Sequence, residues 1–227
     1  MRENYLVATI KSWNIKEFDS LKKKDKKNNW FLITDKKNLT LSAIKKINPK
    51  IIFFPHWSWI IPEEIWSNFE CIVFHMTELP YGRGGSPLQN LIMRGHTHTK
   101  ISALRVNEGL DAGDIYCQKS LNLKGNATEI FRRAAKNIFH KIIPYITNNK
   151  IQPKPQQGKI VLFKRRKSKQ SKILPSFNLK KTYDIIRMLD AEDYPQAFLE
   201  TKKLKFDFSK AKFKDNKITA QVKIYEK

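Results

Sequence analysis

The sequence predicts an α/β fold: a central, mostly parallel sheet covered by helices, followed by a small C-terminal region of one helix and a β-hairpin. Three observations predict it. Apolar runs of strand length recur through the first half of the chain. Helical patterns fall between them. The early runs are nearly continuous in apolar residues, as in strands buried on both faces.

The strand-like runs are YLVATI (5–10), WFLIT (30–34), IIFFP (51–55), CIVFHM (71–76), KISALRV (100–106) and IYCQKSL (115–121). SPLQNLIMRG reads as a helix, with Ser86 as N-cap, Pro87 at the first helical position and Gly95 just past the end. NATEIFRRAAKNIFHKIIPYI reads as a longer one. Asn126 and Glu129 make a capping box, and apolar pairs from Ile130/Phe131 to Ile142/Ile143 recur every four residues on one face. His140 lies beside that face and reads as a boundary residue. After about residue 150 the character changes. KIQPKPQQGK is loop-like, GKIVLFKRR can hold one more strand, and the basic run KRRKSKQSK (164–172) reads as a linker. LKKTYDIIRMLDA is a short helix; KKLKFDFSKAKF and NKITAQVKIYEK alternate as a half-exposed hairpin. The expected organisation is a core over 1–163, a basic linker over 164–175 and a C-terminal α+β extension over 176–227.

Composition narrows the partners. The 227 residues are 41% hydrophobic and 11% aromatic, values of a globular chain. Lys and Arg number 44 against 21 acids, a formal charge of +23. Such a field attracts polyanions: RNA, nucleotide phosphates or polyglutamylated cofactors. The lysines are scattered, however, so a solvated surface also accounts for them. The two cysteines, Cys71 and Cys117, sit in strand-like runs and read as core thiols, with neither a disulfide framework nor a zinc site. The longest apolar run, IIFFPHWSWIIP, has 12 residues and two prolines, too few to span a bilayer. No secretion signal is visible, so a cytoplasmic protein without a membrane partner is expected.

Chemistry concentrates in VFHMTELPYGRGGSPLQNLIMRG (73–95). His75 follows an apolar run and should emerge at a strand's carboxyl end, where open α/β sheets bind ligands. The loop ELPYGRGGSP lets backbone approach a ligand closely. NEGLDAGD (107–114) is a second Gly/Asp-rich loop at the end of KISALRV. A histidine and an aspartate on neighbouring strand ends can meet, the carboxylate orienting the imidazole. Taken singly, each also reads as a core histidine or a turn aspartate. The HTH at 96–98 reads as an exposed turn, not a metal site. Gln89 and Asn90 lie at the helix end that could meet a polar substrate, or are plain helix surface.

In order, FHMTELPYGRGGSPLQNLI and GHTHTKISALRVNEGLDAGDI resemble the formyltransferase family that uses 10-formyltetrahydrofolate, with its methionyl-tRNA, glycinamide ribonucleotide and sugar-nucleotide members. Asp111 follows His75 by 36 residues, the family register. The resemblance implies a Rossmann-like formyltransferase core, with His75 as catalytic histidine and Asp111 holding and polarising it. It implies that Asn107, Glu108, Gly109, Leu110 and Asp111 meet the pterin, and that Trp57, Ser58 and Trp59 bind the cofactor largely through backbone. Gly85 stands where some sugar members carry a cofactor-contacting arginine, so that contact is expected to be missing here or displaced to Arg83. Two departures stand out. VATIKSWNIKEF replaces the usual Gly-rich first turn, so a shortened or rebuilt first βα unit is expected. The family's oxyanion-stabilising asparagine, two residues before the histidine, is Val73 here; His56 and Ser58 are the expected replacement donors.

The function implied is transfer of a formyl group from 10-formyltetrahydrofolate to the amine of a nucleotide-linked amino sugar, in surface-glycan biosynthesis. The short C-terminal region favours that acceptor over nucleic acid. The alternatives are a methionyl-tRNA formyltransferase-like enzyme, a hydrolase releasing formate, and a non-catalytic folate- or nucleotide-binding remnant. The final residues could pair as the edge of a homodimer or form a simple hairpin.

Overall fold

The computed structural model describes residues 2–227. In chain order the elements are β1 (Asn4–Ala8), α1 (Ser12–Lys24), β2 (Asn29–Ile33), α2 (Leu41–Ile47), β3 (Ile51–Phe54), α3 (Glu63–Trp66), β4 (Cys71–His75), β5 (Tyr81–Gly84), α4 (Pro87–Met93), β6 (His98–Arg105), β7 (Ile115–Asn122), α5 (Ala127–Asn137), α6 (Ile143–Asn148), β8 (Val161–Phe163), α7 (Leu179–Arg187), β9 (Ala197–Glu200), β10 (Leu204–Lys214) and β11 (Lys217–Glu226). They gather into two compact units. The first holds the residues up to Arg83, Lys100–Leu121 and Arg132–Leu162; the second holds Gly84–Thr99, Asn122–Phe131 and Phe163–Lys227.

The first unit is built on a sheet of order β2-β1-β3-β4-β6-β7. β1 to β4 are parallel. β6 runs antiparallel to β4, with His75 opposite Ser102 and Ile72 opposite Arg105. Side chains alternate between the faces. Leu6, Ala8, Ile33, Ile52, Phe54 and Cys71 share one face with Ile44 of α2 and Ile65 of α3. On the other face Tyr5 stacks on Trp30 at 5.0 Å between ring centroids, and Phe53 approaches Phe74 at 6.2 Å. Burial on both faces is why these strands read as continuous apolar runs. Crossovers between parallel strands are right-handed. The steps β1 to β2 and β2 to β3 run in opposite directions across this sheet, so α1 lies on the face opposite α2.

The first βα unit is intact. Its short connection is pinned by side chains in place of glycines: Thr9 Oγ1 donates to Pro55 O at 2.8 Å, and Asn14 Nδ2 donates to the same oxygen at 3.1 Å. The capping box forms, with Glu129 N to Asn126 Oδ1 and Asn126 N to Glu129 Oε2 both at 2.9 Å. The helix behind it is not uniform. Ile138–Ile142 form a wider π-helical turn just before Pro144, which has no N–H to continue the regular ladder. His140 in that turn meets Glu17 of α1, Nε2 to Oε2 at 2.6 Å.

In the second unit Leu88, Leu91 and Ile92 of α4 and Ile185 and Ile186 of α7 are buried. The expected hairpin is β10 and β11, with Phe206 opposite Ile224. β9, not expected, adds a third strand that sets Leu199 opposite Phe206. The basic run is tied down along its length: Arg166 N donates to Ser86 Oγ at 3.0 Å, Ser171 is buried, and Ile173 N donates to Phe198 O at 2.7 Å. Ser86 precedes α4 at φ 51 without capping it, because its hydroxyl serves Arg166. No described helix is long and apolar enough to cross a membrane.

Candidate active site

β4 ends at His75, which is 7% exposed. Cys71, Val73 and His75 alternate onto the face shared with Ile44 and Ile65, and Val73 packs against that cluster. The imidazole lies between two oxygens: Nδ1 is 3.5 Å from Asp111 Oδ2, and Nε2 is 2.7 Å from Gly82 O. A carbonyl only accepts, so Nε2 carries a proton here and Nδ1 faces the carboxylate. The turn that follows is held from the neighbouring strand. Ser102 Oγ donates to Thr77 O at 2.7 Å and accepts from Leu79 N at 3.3 Å and Gln118 Nε2 at 2.9 Å. One buried hydroxyl thus uses its donor and both lone pairs.

Asp111 arrives by a route the sequence does not suggest. Because β6 is antiparallel to β4, its carboxyl end lies beside the start of β4, where Val106 N donates to Cys71 O at 2.9 Å. The loop then doubles back over the sheet, about 10 Å along the strand direction, to bring Asp111 to His75. Val106 packs on the same cluster as Val73. Gly113 makes the return: a Cβ there would fall 1.8 Å from Arg105 O. Asp111 itself has φ 51. Gln156 clamps the loop, donating from Nε2 to Asp111 O at 2.8 Å and Gly113 O at 2.9 Å. Its Oε1 accepts from Arg83 Nε at 3.0 Å and Nη2 at 2.9 Å. Gln156 sits in the loop-like stretch KIQPKPQQGK, which carries no periodicity or motif that could have singled it out. Gln156→Ala is expected to destabilise the fold by about 1–3 kcal/mol, since it removes the donor to two carbonyls and the acceptor of the Arg83 fork. Urea unfolding measures it; an unshifted midpoint would mean the loop holds Asp111 unaided.

The other expected residues are placed as follows. Trp57 is half-buried, Ser58 and Trp59 are exposed, and the Trp57 ring meets Phe54 edge-on at 6.0 Å and Trp59 at 5.0 Å. Trp57 Nε1 is buried without a hydrogen-bond partner. His56, at φ 54, leans on Trp13 of α1 at 5.6 Å. Burial first, then the charge of Lys11, push its pKa down to about 4, so the ring is neutral at physiological pH. Asn107 turns the loop by accepting from Gly109 N at 3.0 Å, Glu108 is exposed, and Leu110 is 72% exposed. Arg83, expected on the cofactor, is engaged by Gln156. Gly85, in the second unit, has no room for any side chain: a Cβ would lie 2.5 Å from that of Arg165. Gln89 and Asn90 serve that unit's own structure, donating to Met188 O at 3.1 Å and Lys164 O at 3.0 Å. Burial raises Cys71 to about 12, an inert thiol. No cluster that could hold a metal occurs among the described residues.

Residues 16–144 match the formyl transferase model, and residues 168–225 match the methionyl-tRNA formyltransferase C-terminal domain. The solved structure of methionyl-tRNA formyltransferase from Clostridium thermocellum is 53% identical, with a TM-score of 0.97 over 99% of this chain and 100% of that one. The methionyl-tRNA formyltransferase of Caldicellulosiruptor saccharolyticus is 38% identical over 86 residues, 37% of this chain and 28% of that protein. That of Dictyoglomus turgidum is 25% identical over 191 residues, 79% of this chain and 60% of that protein. The chain therefore spans less than two thirds of these curated relatives. These findings overturn the expectation of a nucleotide-linked amino sugar as acceptor, and with it the link to surface-glycan biosynthesis. That expectation rested on a C-terminal region read as too slight for an RNA-handling domain. Instead, α7 and a three-stranded sheet stand within the segment that matches the tRNA enzyme's own domain. The formyl transferase match covers more than half of the chain and includes both His75 and Asp111, and the chain belongs to the formyl transferase family.

Proposed function

We propose that this chain moves the formyl group of 10-formyltetrahydrofolate onto the amino group of methionine carried by tRNA. The chemistry rests on the contact of His75 Nδ1 with Asp111 Oδ2 at 3.5 Å. The acceptor is supported by the match of residues 168–225 to the C-terminal domain of the tRNA enzyme. The charge of +23 suits a polyanion. In this reading residues 1–163 carry the chemistry, the segment from 164 onward meets RNA, and the protein works in the cytoplasm.

Apolar surface on the loops that follow β3 and β6 suits a flat heterocycle. Trp59, Ile60 and Leu110 are 38%, 90% and 72% exposed, an unusual outlay of apolar surface beside two polar loops. Bound there, 10-formyltetrahydrofolate supplies a formyl group on a nitrogen leaving group. His75 takes the proton of the attacking amine as its nitrogen bonds to the formyl carbon. For this Nε2 leaves Gly82 O and the ring's one proton moves to Nδ1, toward Asp111, so that Nε2 is free to accept from the amine. Asp111 then faces the imidazolium and balances its charge. His75 returns the proton to the departing nitrogen.

The test is release of tetrahydrofolate from 10-formyltetrahydrofolate with and without methionyl-tRNA. Release that requires methionyl-tRNA, with binding that weakens steeply as salt rises, is expected. Equal release without the tRNA would make the chain a hydrolase and sink the proposal.

A further inference from the structure

The place of the family's oxyanion-binding asparagine is held by Val73, which cannot donate. We infer that the indole N–H of Trp57 is the donor in its stead, bonding the formyl oxygen as negative charge develops on it. The inference rests on the formyl transfer proposed above. In that step the amine lone pair makes the new C–N bond, the carbonyl π pair moves onto oxygen, and the amine proton passes to His75. When the pair returns, the bond to the folate nitrogen breaks and that nitrogen takes the proton back.

Four observations converge on Trp57. Val73 pairs with Phe54 across the parallel β3–β4 ladder, so the two side chains share a face. Trp57 folds back edge-on to Phe54 at 6.0 Å, and it packs with Val73 against one cluster. His75 lies on that same face. Trp57 Nε1 is buried and has no protein acceptor. The other buried side-chain atom without a hydrogen bond among the described residues, Asp207 Oδ1, sits 2.9 Å from Lys205 Nζ, which leaves Trp57 as the unexplained one. Native proteins rarely leave a buried donor unmet. An indole N–H only donates, which suits an oxygen gaining charge. The sequence-based candidates stand elsewhere: His56 leans on Trp13 of α1, across the sheet from Val73, and Ser58 is exposed.

Trp57→Phe keeps an aromatic ring and removes the N–H. It should lower kcat by about 10²–10³-fold, the usual effect of losing one oxyanion donor, with little change in KM. Adding Val73→Asn to that variant should recover much of the loss. A kcat within a few-fold of wild type for Trp57→Phe overturns the inference. A second measurement needs no turnover. In ¹⁵N-labelled protein, the Trp57 indole resonance, assigned by its absence in Trp57→Phe, should move downfield with 5-formyltetrahydrofolate and stay put with tetrahydrofolate. An unmoved resonance overturns the assignment. A moved resonance in a protein that transfers no formyl group sinks the proposed function and with it the oxyanion role, leaving only a Trp57 bond to the bound formyl oxygen.

Discussion

Replacing His75 by alanine is expected to lower kcat for formyl transfer by 10³-fold or more. Removal of a positioned proton-transfer group accounts for about 10²–10⁴-fold. Nothing near it can substitute. His56 is turned to Trp13, and the Asp111 carboxylate loses the ring it faces at 3.5 Å. The fold should survive, because the change deletes one hydrogen bond, Nε2 to Gly82 O at 2.7 Å, worth about 1 kcal/mol. Tetrahydrofolate release under saturating methionyl-tRNA measures the first effect, and a thermal melt the second. A folded His75→Ala protein with near wild-type turnover would remove His75 from the chemistry.

Gly113→Ala is expected to be the most damaging single-methyl change in the loop that carries Asp111. The added Cβ would lie 1.8 Å from Arg105 O, a backbone atom at the end of β6. Backbone cannot swing aside as a side chain can, so the strand end or the loop must move. Overpacking of this kind destabilises by about 1–3 kcal/mol or somewhat more. Because the same turn delivers Asp111 to His75, activity should fall further than the loss of stability explains. Gly95→Ala is the control: its φ of +81 carries a backbone strain, but no atom lies within 4 Å of the new methyl. Urea unfolding of the two variants, with turnover at a temperature where both are folded, separates packing from placement. Equal, small losses for both would show that the Gly113 contact relaxes cheaply.

Much of this protein is legible from local pattern. The runs that became β1, β3 and β4 are apolar on both faces, and such runs have few other uses. Asn126 with Glu129 announces a helix start, and both reciprocal bonds form. His75 and Asp111 are named by motif and do meet. What escaped the sequence is direction and distance in space. Nothing in KISALRV says that β6 is antiparallel to β4, so the two residues looked like neighbours on adjacent strand ends. The structure instead carries Asp111 back across the sheet. Ser102 and Gln156 act through partners far along the chain, which no spacing rule encodes. β9 is short and belongs to a sheet whose other strands come later, so its apolar residues had no visible partner. Trp57 was expected to serve through its backbone; its buried, unmet N–H can be seen only once the ring is placed.

The Gln156 clamp also bears on when the site can exist. Asp111 and Gln156 are 45 residues apart, and His75 lies further back still. A chain growing from its amino terminus makes the histidine and the aspartate early. The group that fixes their spacing is made after α5 and α6. Contacts of such sequence separation form late, because the loop they close must first be ordered. A nascent chain halted just before Gln156 would hold the sheet, His75 and Asp111, yet lack the bond from Gln156 to the Asp111 loop. In the proposed mechanism, competence would arrive with the last stretch of the first unit, not with His75 and Asp111 themselves.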